Sequence, residues 1–154
     1  MKTRQGFVSN SSSSSFIVAF SKMPESADEV KELLFGDRET LCEYEHLGPM
    51  STKTMSEIVF EDMVGQKSKS LKEVYDELNS GWDFKNADGS THDYNADYSN
   101  LKEEDFGKKI GDFADEIEGQ LVFIFSYADD DALGSTMEHG GIFDNLTHRR
   151  ISHH

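Results

Sequence analysis

Runs of consecutive apolar residues occur twice in the chain, FIVAF at residues 16–20 and LVFIF at 121–125, the second continuing to Tyr127. Neither has a polar face, so each predicts a strand covered on both sides, the two pairing near the centre of one sheet. Between them the apolar residues recur at helical spacing. Val30, Leu33 and Leu34 share a face, behind Ser26 as N-cap with Glu29 three residues on, and Gly36 ends that helix. Met55, Ile58, Val59 and Met63 form a second stripe up to Gly65, with Thr54 and Glu57 as its capping pair and the methionines as core filler. Leu71, Val74, Tyr75 and Leu78 follow Ser70 and Glu73 at i, i+3, i+4, i+7, the plainest helical signal in the chain.

Phe106, Ile110, Phe113 and Ile117 predict one long acidic helix over residues 101–118, capped by Asn100 and ended by Gly119. Gly107 and Gly111 weaken it by ~1 kcal/mol each relative to Ala, and, four residues apart, suit close packing against the sheet. Residues 41–47 (LCEYEHL) alternate, predicting a half-exposed edge strand buried on the side of Cys42, Tyr44 and His46, before a Gly48-Pro49 turn. Two stretches carry no period. Residues 9–15 are serine-rich and predict a loop, because serines bury little and compete for backbone hydrogen bonds. Residues 79–100 are polar and turn-rich, and a loop of that length in a small domain is commonly functional. The expected fold is α+β or small α/β: a single layered domain, with a sheet of about three to five strands and helices on at least one face. Residues 1–15 form a basic, serine-rich segment and 16–154 one acidic domain.

Charge sharpens this picture. Thirty acidic residues face fifteen basic ones, a formal net charge of −15. Such a surface repels nucleic acid and anionic membrane, and favours a basic protein surface or a metal ion as partner. The distribution is uneven: residues 1–24 hold Lys2, Arg4 and Lys22 and no acid, whereas the helix and strand that follow the long loop are strongly acidic. No run is long and apolar enough to cross a bilayer, the opening lacks a secretory h-region, and Cys42 stands alone, so a cytoplasmic, reducing location is expected. The Asn10-Ser11-Ser12 sequon has no role there.

The opening Lys2-x-Arg4-x-Gly6-Phe7-Val8-Ser9-Asn10, followed by five serines and Phe16, resembles the start of many small uncharacterised phage and bacterial proteins. The resemblance covers about a tenth of the chain. It implies a phage or prophage origin and no activity. The same segment reads either as a processing or recognition tag, cut near Asn10 or within the serines, or as a structural loop before the first strand.

Candidate chemistry gathers at the other end. The strand at 121–127 runs into Asp129-Asp130-Asp131, then Glu138-His139-Gly140-Gly141 and His148. A strand aims carboxylates rigidly into the crevice at its end, and carboxylate with imidazole suits Zn²⁺, Mn²⁺ or Fe²⁺. Asp129, Asp131, Glu138, His139 and His148 are therefore the candidate metal ligands, with Glu138 or His148 as the catalytic base toward a water the metal activates. No H-E-x-x-H occurs, and the bland reading of Asp129–Asp131 is a solvated turn. In the long loop, Asp93, Asn95, Asp97, Ser99 and Glu104 match oxygen positions of a calcium loop but lack its glycine. Phosphate-binding and nucleophile-elbow motifs are missing. Arg149-Arg150 reads as exposed charge before a short edge strand. The leading expectation is an acidic interaction or regulatory protein, binding a basic protein surface or mimicking DNA through Trp82, Tyr94, Tyr98, Glu103, Glu104 and Asp105. The alternative is a metal-dependent hydrolase or metal-binding domain built on the C-terminal cluster.

Overall fold

A computed structural model describes residues 12–153. The tag reading at Asn10 and the sequon's first two residues lie outside them. A three-stranded antiparallel sheet, ordered β4-β1-β5, divides the domain. Its strands are β1 (Ser13–Phe20), β4 (Leu121–Ala128) and β5 (His148–Ser152). A separate two-stranded ribbon pairs β2 (Thr40–Leu41) with β3 (Met50–Ser51). The helices are α1 (Ala27–Phe35), α2 (Thr52–Val64), α3 (Leu71–Leu78), α4 (Glu103–Ile110), α5 (Asp112–Ile117) and α6 (Ala132–His139). This is the small α+β domain that the periodicity predicts. No helix among the described residues is long and apolar enough to cross a membrane.

The alternation of β1 explains the layering. Phe16, Val18 and Phe20 face one core, with Phe123, Phe125 and Tyr127 of β4 and residues from α1, α2 and α6. Ile17 and Ala19 face a second core, with Val122 of β4, Ile151 of β5 and residues from α3, α4 and α5. Both faces of β1 are thus buried, which is why its sequence shows no polar period. Each fully buried Phe or Ile there contributes roughly 1.5–3 kcal/mol of apolar burial.

The structure corrects several expectations. The serine run is not a loop to its end: Ser13, Ser14 and Ser15 open β1, with Ser14 and Ser15 buried. β1 is the central strand, and β4 lies beside it at one side of the sheet. Residues 41–47 do not form a strand; β2 stops at Leu41, a single 3-10 turn spans Glu45–Leu47, and Cys42, Tyr44 and His46 are exposed while Leu41 is buried. Two-residue alternation there reflects a ribbon corner. α2 is capped by Ser51, whose hydroxyl accepts from the Thr54 N–H, instead of by Thr54. The predicted long acidic helix is two, broken at Gly111, whose φ of +83° no helix continues through. A Cβ on Gly107 would touch Leu71 of α3, and one on Gly111 would touch Ala87 of the long loop, so neither glycine packs on the sheet.

β4 would present a bare edge, but the segment after α2 covers it. Gln66 acts as a substitute strand: its side-chain amide donates to the Ile124 carbonyl at 2.8 Å and accepts from the Ile124 N–H at 3.1 Å. Ser68 Oγ accepts from the Val122 N–H, and the Lys69 N–H donates to the Val122 carbonyl. An edge so occupied cannot template pairing with another chain.

Candidate metal centre

The face of β1 that carries Phe16 and Val18 continues toward the strand's start as Ser14 and, one step beyond, Ser12. Its neighbours at that end are Tyr127 of β4, opposite Ser14, and Arg150 of β5, opposite Phe16. The apolar face therefore turns polar where β1 begins and β4 ends. Asp129 sits just past β4, tied to Ser12 just before β1 by one backbone and one side-chain hydrogen bond: its N–H donates to the Ser12 carbonyl at 3.1 Å, and its Oδ1 accepts from the Ser12 N–H at 2.7 Å.

α6 then brings the remaining groups back over this end. Asp131 is its N-cap, accepting the Gly134 N–H at 2.7 Å. Gly134 permits the tight reversal, because a Cβ there would fall on the Ala128 carbonyl at the end of β4. Thr136 and Met137 bury against the core, and Glu138 and His139 in the last turn reach the serines.

The result is a compact polar cluster under the apolar layer. Asp129, Glu138 and His139 each offer one ligand atom, all within 4.8 Å of one another. The Glu138 side chain is 0% exposed. Its Oε1 accepts from Ser12 Oγ at 2.7 Å and lies 3.1 Å from His139 Nε2; its Oε2 accepts from Ser14 Oγ at 2.9 Å. Ser12 Oγ also lies 3.2 Å from Asp129 Oδ2 and 3.2 Å from His139 Nε2. Arg150 closes the group: Nε donates to Ser14 Oγ at 3.0 Å, and Nη2 lies 3.2 Å from His139 Nδ1 and 3.6 Å from Glu138 Oε2. The buried carboxylate is thus satisfied by hydroxyls and one guanidinium, as burial of a charge demands.

Of the five ligands expected from sequence, the structure brings together Asp129, Glu138 and His139. Asp131 is removed by its capping role, because the strand ends at Ala128 and Asp131 already starts a helix. His148 is placed on β5 opposite Val18, its Nδ1 at 2.9 Å from the Leu146 carbonyl and its Nε2 at 3.7 Å from Asp144, so it cannot serve as a base beside Glu138. Ser12, Ser14 and Arg150 escape a motif search. The signal for the serines was their spacing: at period two they extend the Phe16 face, and a buried hydroxyl needs a partner. Arg150 becomes visible only through the register of β5. Arg149, on the opposite face, pairs with Glu116 at 3.0 Å and lies over the Phe113 ring, so neither arginine is a free surface charge.

The residues expected to bind a basic surface divide as well. Trp82 is 85% exposed and Tyr94 76%. Tyr98 is not an anchor: it stacks on His92, lies beside Tyr75 and packs on the second core. Glu103 accepts the Leu71 N–H at the start of α3, and Asp105 accepts the Lys102 N–H at the start of α4, so both carboxylates serve helix ends; Glu103 and Glu104 are exposed and Asp105 is half-buried. The calcium-like loop also dissolves into local turns, with Asp93 accepting from the Asn95 N–H and Asp97 from the Ser99 N–H.

Compared with known proteins, the chain matches no family model, no curated protein and no solved structure.

Proposed function

We propose that this chain is a metal-binding domain whose centre, Asp129, Glu138 and His139, holds one divalent transition ion. The observation that carries the reading is the convergence of three ligand atoms within 4.8 Å from two separate elements, one of them on a fully buried carboxylate. Two carboxylate oxygens and one imidazole nitrogen are a donor set for Zn²⁺, Mn²⁺ or Fe²⁺. The net charge of −15 raises the local concentration of cations around it. Three protein ligands leave a coordination position open, which is the pattern of catalytic more than of structural sites. A metal there supplies Lewis acidity toward a carbonyl or phosphoryl oxygen, and hydrolysis is the finer reading. Within it, Glu138 and Asp129 fix the cation, and Arg150 is the cationic group at the rim that can hold an anionic substrate oxygen.

The test is elemental analysis of protein purified without chelator, beside Asp129→Ala and His139→Ala, with far-UV circular dichroism as the control for folding. Near-stoichiometric metal in the parent, lost in both folded variants, is the expected result, followed by a phosphoester and peptide hydrolysis screen with and without chelator. No metal in the parent, even after adding it back, overturns the reading. It would turn attention to the acidic interaction role, with exposed Trp82 and Tyr94 as anchors for a basic partner.

A further inference from the structure

The two edges of the sheet are finished differently. On an antiparallel strand, alternate residues turn their backbone groups to opposite sides. In β4 the groups turned away from β1 belong to Val122 and Ile124, and Gln66, Ser68 and Lys69 meet them. In β5 the alternation follows from the pairs that flank it: the Ala19 N–H donates to the Thr147 carbonyl at 2.9 Å, and the His153 N–H to the Ser13 carbonyl at 3.0 Å. Arg149 and Ile151, in step with these, turn their backbone groups to β1. His148, Arg150 and Ser152 therefore turn theirs outward. The His148 carbonyl accepts from Arg149 Nη1 at 3.0 Å. The outward backbone groups of Arg150 and Ser152 have no hydrogen-bond partner among the described residues, and both residues are exposed.

A cleft of about 280 Å³ opens beside this edge, between β5 and the chain that follows α3. Trp82 lines it and is 85% exposed. Gly81 allows that chain to come close, because a Cβ there would collide with the Ile151 side chain, so it stands on the Ile151 side of β5. The charged residues of the cleft are Arg149, Arg150 and Asp83, a positive balance on a molecule of net charge −15. Each arginine already meets one carboxylate, Glu116 and Glu138 respectively. A guanidinium carries five N–H donors, and Arg150 Nη1 has no partner among the described residues.

From this geometry we infer that β5 is a docking edge for an extended peptide of a partner protein, which adds to the sheet as a fourth strand. The peptide pairs its backbone with Arg150 and Ser152 and lies about 4.8 Å from β5. Its successive side chains point to opposite faces. The residue opposite Arg150 shares the face of that arginine, and a carboxylate there meets the guanidinium. The neighbours on either side fall on the Ile151 face, where apolar ones cover the Trp82 indole. The segment that fits is thus apolar, acidic, apolar. A second copy of this chain fits less well, because it would set its own β5 arginines against these and bring a second net charge of −15. No candidate metal ligand takes part, so the docking edge and the metal centre stand or fall separately.

The test is a titration of the full chain with the capped pentapeptide Thr-Val-Glu-Val-Thr. It is read by tryptophan emission, to which Trp82 is the sole contributor, and by amide hydrogen exchange. A saturable blue shift is expected. Exchange is expected to slow at the Arg150 and Ser152 amides and not at Arg149 and Ile151, whose N–H groups β1 already holds. Methylating the glutamate nitrogen removes a ladder donor and keeps the charge, and is expected to weaken binding roughly three- to ten-fold. Lysine in place of the glutamate keeps the ladder, reverses the charge and should weaken binding as well. Trp82→Ala is expected to cost more than about ten-fold. Ser152→Pro removes an outward N–H and no bond to β1, and should weaken binding with the far-UV circular dichroism unchanged. Unchanged emission and exchange at millimolar peptide, or equal binding of the N-methylated peptide, overturns strand addition. Arg150 and Ser152 amides already slow in the protein alone would mean that the edge is covered without a partner, and protection that grows with protein concentration would make a second copy the occupant. Either result overturns the peptide as the occupant.

Discussion

Glu138 is the residue on which the centre depends, and its surroundings set what its loss costs. The side chain is fully buried and accepts from two serine hydroxyls, with the Arg150 guanidinium 3.6 Å away. Breaking a buried ion pair typically costs ~3–5 kcal/mol, because a charge is left stranded. Here Arg150 is 38% exposed and can turn to water, so that full penalty does not arise. What remains is the cost of two orphaned hydroxyls and a cavity, about 1–3 kcal/mol. Glu138→Gln keeps the volume, and a serine hydroxyl can rotate to accept from the new amide. Urea unfolding is therefore expected to rank the parent above Glu138→Gln and Glu138→Gln above Glu138→Ala. An alanine variant as stable as the parent would mean that the two serine hydroxyls on Glu138 contribute nothing to the fold.

Among the elements, β4 shows how side chains finish what the backbone leaves open. Gln66 pairs with both polar groups of Ile124. Gln66→Ala removes two hydrogen bonds at a part-buried edge and is expected to cost about 1–2 kcal/mol, with a rise in concentration-dependent aggregation read by light scattering as the edge opens. Gln66→Glu keeps the acceptor and loses the donor, and should fall between. Unchanged stability in both variants would show that the edge needs no cover. Elements of this kind explain where sequence reading succeeds. The β1 and β4 strands are legible because their burial on both faces leaves an unbroken apolar run, and α1 and α3 because Ser26 and Ser70 cap them as their spacing implies. The break at Gly111 was not legible, since the apolar spacing runs through it unchanged and only the contact with Ala87 and the positive φ mark it. The candidate centre was legible in half. Asp129, Glu138 and His139 advertise themselves by residue type, whereas Ser12, Ser14 and Arg150 acquire meaning only through strand register, a pairing more than a hundred residues apart in sequence. Asp131 misled because a carboxylate after a strand and a carboxylate at a helix N-cap look alike until the helix is placed.

Over the whole molecule, the excess of negative charge makes alkaline pH the harsher direction, and one tyrosine adds a distinct share. Tyr127 is buried where the Phe16 face meets the polar centre, and its hydroxyl donates to Asp62 at 3.0 Å. Burial, then the negative charge of Asp62, pushes its phenol far above the usual tyrosine range. The fold therefore favours the neutral phenol. Its contribution is full below the unfolded value near 10. It is lost progressively as pH rises above that, because the unfolded chain releases the proton and the folded one does not. Tyr75 is raised in the same sense, by burial first and by Tyr98 second. Chemical denaturation between pH 8 and 11 should show the parent losing stability beyond about pH 10. Tyr127→Phe should lose less over the same interval, keeping the slope from Tyr75 and from the general repulsion. Asp62 is exposed, so the lost hydrogen bond leaves its carboxylate hydrated and costs little at neutral pH. The comparison is the difference in slope between the two proteins, which cancels the general repulsion that both suffer. Parallel curves would mean that the Tyr127 phenol ionises in the folded protein as readily as in the unfolded one, and that the layer beneath the centre is open to water.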